Sequence, residues 1–162
     1  MNGAMLLPEF DQEMANTRRA LERLPDDRLA YKPHPKSLSL RDLAAHVANL
    51  PTWTRITLTT TDLDLNQPWD RNIPADRAAI LADFDANVAD ARAVLAKTTD
   101  ADMNVNWTLR SGDQVWFTYP RAAVFRSFMM SHLIHHRAQL TVYLRLLDVP
   151  VPGMYGPSAD ER

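Results

Sequence analysis

The chain has 162 residues, 46% of them apolar and 23% charged, with a formal net charge of −2 and no cysteine. That length suits one domain, and the balanced charge excludes the broad basic field of a nucleic-acid binder. The missing cysteine excludes disulfides, a thiol nucleophile and thiolate metal ligands.

The N-terminal run MNGAMLLPEF lacks Lys and Arg and is cut by Pro8 and Glu9, which makes a poor secretory leader. No stretch nears the roughly 18 apolar residues of a spanning helix. A cytoplasmic protein with no membrane or nucleic-acid partner is expected.

The first helix is predicted over Leu7 to Leu24, where Phe10, Met14, Thr17, Leu21 and Leu24 recur at helical spacing. Pro8 fits if it lies in the first turn. Pro25 to Ser37 holds three prolines and reads as an irregular connection.

Ser39 opens the second helix as its N-cap, with Asp42 in the first turn and Leu40, Leu43, Val47 and Leu50 on the buried side. Pro51 kinks this helix, and the β-branched stretch 52–61 either continues it or frays. A loop runs through Gln67, Pro68 and Trp69 to Pro74.

The third helix is predicted from Ala75 to Lys97, with Ile80, Phe84, Val88, Ala91 and Leu95 facing inward. Residues 105–119 change to a strand-like period around Ser111-Gly112, a hairpin signal. The last helix runs from Pro120 to Leu147, and the Pro- and Gly-rich tail 148–162 is extended. The predicted fold class is all-α: one four-helix bundle domain over 1–162, with a short β-hairpin between helices three and four.

The chemistry concentrates in His132, His135 and His136. His132 and His136 are one turn apart, and imidazoles at i and i+4 chelate one ion without straining the backbone. The pair His132 and His135 is the geometric rival. His46, beside the apolar stripe of the second helix, offers a third ligand from a facing element. Clustered helical histidines are more often plain surface, and a lone histidine at an apolar boundary is more often a hydrogen-bonded core residue. His34, in the proline-rich connection, reads as solvated.

The segment SHLIHHRAQLTVYLRLLDVPVPGMYGPSADE resembles the C-terminal signature of the DinB-like family, and SLSLRDLAAHVANLPTW resembles that family's first metal-ligand helix. Arg137 and Gln139 match its Arg-Gly-Gln pattern, with Ala138 in place of the glycine. The resemblance implies an up-down-down-up bundle and an open site formed by His46, His132 and His136, with one divalent transition metal as cofactor, Zn or Ni foremost. Imidazole ligands alone do not choose the metal.

The resemblance also implies activation of a small thiol, as in a thiol S-transferase. A hydrolase activating water is the second enzyme reading, for which Asp42 and His135 are the candidate bases. A non-enzymatic metal- or ligand-binding protein of a stress response is the alternative. The expected partners are a small-molecule substrate, a low-molecular-weight thiol among the candidates, and a second copy in a homodimer. Arg137 and Arg145 are read either as anion binders or as partners of tail carboxylates such as Asp160. The four tryptophans, Trp53, Trp69, Trp107 and Trp116, are read as packing first and pocket lining second.

Overall fold

A computed structural model describes residues 2–68 and 73–161. Trp69, one of the four tryptophans, lies outside the described residues. Among those described, no helix is long and apolar enough to cross a membrane.

Helix α1 spans Gly3–Leu21 and begins four residues before the predicted start, because the Asn2 side chain caps it by accepting from the Met5 N–H. Pro8 therefore lies in the second turn, where it removes one internal hydrogen bond. Gly3 donates its N–H to the Thr98 carbonyl at 3.0 Å, and a Cβ there would sit 1.9 Å from the Leu95 oxygen. Glycine is what lets the start of α1 approach the end of its neighbour.

The predicted second helix is two pieces, α2 (Leu40–Asn49) and α3 (Thr52–Thr59), divided at Leu50-Pro51. Strand β1 (Asp62–Asp64) follows, then α4 (Arg77–Lys97), capped by the Asp76 side chain, and a single turn, α5 (Asp100–Met103). Strands β2 (Asn106–Ser111) and β3 (Gln114–Pro120) form the predicted hairpin. Gly112 opens its two-residue loop at a φ of 56°, a conformation that side chains resist.

The all-α expectation is corrected: the fold is mainly helical with a three-stranded sheet in the order β1-β2-β3, β1 lying parallel to β2. The extra strand is held by charge. Arg110 on β2 donates to Asp62 and to Asp64 at 2.7 Å each, and Asp64 also accepts from the Gly112 N–H.

The predicted last helix is continuous but not uniformly wound. It comprises α6 (Arg121–Val124), a π-helical segment over Phe125–Ser131, and α7 (His132–Leu146).

The main core joins Phe10, Met14 and Leu21 of α1 to Ile80, Phe84 and Leu95 of α4, Leu43 and Val47 of α2, and Leu133 and Leu140 of α7. Burying each such side chain contributes about 1.5–3 kcal/mol. A second cluster forms under the sheet, where buried Trp107, Leu109 and Val124 pack with Trp53, Phe117 and Phe128. Trp116 is exposed on β3.

Helix α7 ends in a Schellman motif: the Asp148 N–H donates to the Arg145 carbonyl, and the Val149 N–H to Leu144. Asp148 occupies the left-handed position at a φ of 57°. Asp148→Gly is expected to raise stability by about 1 kcal/mol by removing the Cβ conflict. Urea unfolding checks this, and an unchanged midpoint argues against strain at the site.

Beyond this turn the tail is tied down but not extended as expected: it bends at residues 154–156 and folds back, so that the Val151 and Gly153 N–H groups donate to Asp160 and Glu161. Arg145 forms a two-point pair with Asp160 at 3.0 and 2.6 Å, as the tail-carboxylate reading of Arg145 expects. That contact and the Val151 N–H hold the Asp160 carboxyl down at about 2.

Candidate metal centre

His46 lies in the last turns of α2, and two contacts fix that helix. At its N-terminus the Ser39 hydroxyl accepts from the Asp42 N–H at 3.1 Å. Near its C-terminus, Asn87 of α4 donates to the Ala48 carbonyl at 2.9 Å, satisfying an orphan acceptor. Helix α2 packs on both α4 and α7. Tyr143 of α7 also donates to the Leu38 carbonyl, just before α2.

His132 and His136 occupy the first and second turns of α7. The ligand atoms of His46, His132 and His136 all lie within 4.8 Å of one another, each ring half-buried. The Nε2 atoms of His46 and His132 are 3.3 Å apart, and those of His132 and His136 are 2.8 Å apart. Zn–N bonds of about 2.05 Å place nitrogens roughly 3.3 Å apart in a tetrahedron and about 2.9 Å apart at a right angle. The spacing therefore fits three imidazoles on one ion.

The far side of one ring is also engaged. His136 Nδ1 donates to Gln139 Oε1 at 2.7 Å. The Phe128 backbone, one turn back in the π-helical segment, also acts on His132 and opposes the fall in its pKa. Such π-helical turns recur at functional sites.

Burial pushes the pKa of His132 below the ordinary imidazole value, and the neighbouring His136 and His135 add to the depression. His136 is lowered for the same first reason, with His135 contributing and Gln139 opposing. Both rings are therefore neutral at pH 7, the form that ligates metal.

The other sequence candidates fall elsewhere. His135 is exposed, its ring set edge-on to His136 at 4.9 Å, so the rival pairing with His132 is not the one assembled. Among the described residues, the cluster includes no carboxylate, and Asp42 sits in the first turn of α2. His34 is exposed, and its Nδ1 accepts from the Lys36 N–H.

Arg137 is not an anion binder. It is buried, and its Nη1 pairs with Glu13 Oε2 of α1 at 2.6 Å. It also donates to the Glu13 carbonyl, the Thr17 hydroxyl and the Tyr155 hydroxyl. Tyr155 in turn donates to Glu13. The sequence reading missed Glu13; the only available signal was an acidic residue on the apolar face of α1, between Phe10 and Thr17. Trp53 and Trp107 pack against each other and against Phe128 and Phe117, as the packing reading expects.

A sequence model of the DinB family matches residues 1–162. Uncharacterized protein YrdA of Bacillus subtilis strain 168 is 27% identical over 157 residues, covering 96% of this chain and 89% of that protein. Two crystal structures of DinB-like proteins share the fold. One, from Bacillus cereus ATCC 10987, superposes with a TM-score of 0.69 at 24% identity, over 93% of this chain and 95% of that one. The other, from Bacillus subtilis, gives 0.70 at 18% identity, over 90% and 95%.

Proposed function

The chain belongs to the DinB family, and from that premise we propose that His46, His132 and His136 hold one divalent transition metal, Zn or Ni foremost, and that the site acts on a small thiol as an S-transferase. One observation carries the metal reading. His136 spends its Nδ1 proton on Gln139, so its Nε2 lone pair points inward, 2.8 Å from His132 Nε2, and the ligand atoms of all three rings lie within 4.8 Å of one another. Three ring nitrogens from two elements, so close together, can share one cation.

When bound, the metal would supply a Lewis acid with room for a further ligand, since three protein groups converge among the described residues. The chain's own contribution is orientation: α2 presents one imidazole and α7 two. The thiol reading is favoured over hydrolysis because no carboxylate joins the cluster among the described residues, which leaves water without an evident base. With no cysteine in the chain, the sulfur comes from a co-substrate. The same premise carries the up-down-down-up helix order, supported by the packing of α1 and α2 against both α4 and α7.

Protein purified without chelator is expected to carry about one transition metal per chain by elemental analysis. Occupancy stays level from pH 8 to 7 and falls below about pH 6, because protons compete for the lone pairs. The depressed proton affinity of His132 and His136 moves that loss to lower pH than for free imidazole. No uptake of added Zn(II) or Ni(II), or a flat profile down to pH 5, sinks the metal reading. A panel of small thiols and simple electrophiles then tests transfer. Metal uptake with no transfer across the panel favours a non-enzymatic metal-binding protein.

A further inference from the structure

We propose that Gln139 is a positioning residue of the metal site: its side-chain oxygen fixes His136 in the Nδ1–H tautomer, keeping the Nε2 lone pair free for the ion. The proposal rests on the three-histidine reading above. The geometry is direct. Gln139 stands three residues after His136 on α7, on the same side of the helix, and its Oε1 lies 2.7 Å from His136 Nδ1. A carbonyl oxygen only accepts, so the proton must be on Nδ1. A neutral imidazole carries one proton, so Nε2 is then bare and directed at His132 and His46.

The three ligands are not held in the same way. His132 is influenced by the backbone of Phe128, which no side-chain substitution removes. His136 is oriented by an exposed side chain, the one replaceable acceptor described for its ring. Without Gln139, the His136 ring can also hold its proton on Nε2, where it donates to the Nε2 of His132 across the 2.8 Å contact. That arrangement closes the site with a hydrogen bond, and an entering ion must first break it. Gln139 thus selects the open arrangement before metal arrives. Outer-shell acceptors of this kind typically change metal affinity by about 10–100-fold.

The test compares wild type with Gln139→Ala, Gln139→Glu and Gln139→Met. Zn(II) affinity is measured by competition with a chromophoric chelator. The tautomer of His136 is read in the metal-free chains from ring-nitrogen NMR shifts. Gln139→Ala and Gln139→Met are expected to bind Zn(II) about 10–100-fold more weakly and to shift His136 toward the Nε2–H form. Gln139→Glu restores an acceptor and is expected to bind at least as tightly as wild type. A helix-packing role predicts instead that the near-isosteric Met variant behaves as wild type. Wild-type affinity in Gln139→Ala overturns the proposal, as does an unchanged tautomer or a Glu variant as weak as Ala. Failure of the underlying site is seen separately, as wild-type protein that takes up no Zn(II).

Discussion

Replacing His136 with alanine is expected to weaken Zn(II) binding by about 100-fold, whereas His135→Ala leaves it within about threefold. Closed four-ligand zinc sites are worth about 10–16 kcal/mol, or roughly 3 kcal/mol per ligand, which is about two decades of affinity. The His46 and His132 alanine variants are expected to fall as far as His136→Ala, because each removes one of three nitrogens that meet within 4.8 Å. His135 is exposed and outside the cluster, so its loss removes only a neighbouring polar ring. Zn(II) titration of the four alanine variants decides the ligand set. Equal losses for His135 and His136 reassign it.

The second large effect concerns stability. Arg137→Met is expected to destabilise the fold by about 3–5 kcal/mol, because it leaves the Glu13 carboxylate buried without its cation. The Arg137 and Glu13 side chains are only 2% and 8% exposed, so water cannot replace the lost partner. For a domain of this size the melting temperature falls by roughly 10 °C or more. The double variant Glu13→Leu with Arg137→Met removes both charges and is expected to recover most of the loss. A single variant costing under about 1 kcal/mol, by urea unfolding, refutes the buried-pair account.

The three-histidine cluster was readable in part because half of its geometry is local. The i, i+4 spacing on one helix brings His132 and His136 together without tertiary information, and the apolar stripe of α2 places His46 near the bundle interior. The partner on the far side of the His136 ring was not readable. Whether Gln139 meets a ring nitrogen depends on a side-chain rotamer, and the π-helical stretch before His132 is a backbone departure that no residue type announces. Arg137 was misjudged as a possible anion binder because its partner lies 124 residues away on α1. Strand β1 escaped notice because three residues give too short a period. Its reason for existing is the pairing of Asp62 and Asp64 with Arg110, a long-range contact. The division of the second helix was half visible: Pro51 marked the place, but a kink and a full interruption look the same in sequence.

The wide turn over Phe125–Ser131 has a consequence for how the last helix is wound. Drawn on a regular wheel of about 100° per residue, Arg121, Val124 and Phe125 point one way, while Leu133, Leu140 and Leu144 point roughly 125° further round. That mismatch is close to one residue of rotation. An unbroken α-helix keeps a single phase, so it can bury one set or the other. The loose turn absorbs the surplus residue and realigns both sets with the interior. Deleting a single residue between 125 and 131 would therefore give a better-wound helix whose distal half, His132 and His136 included, faces the wrong way.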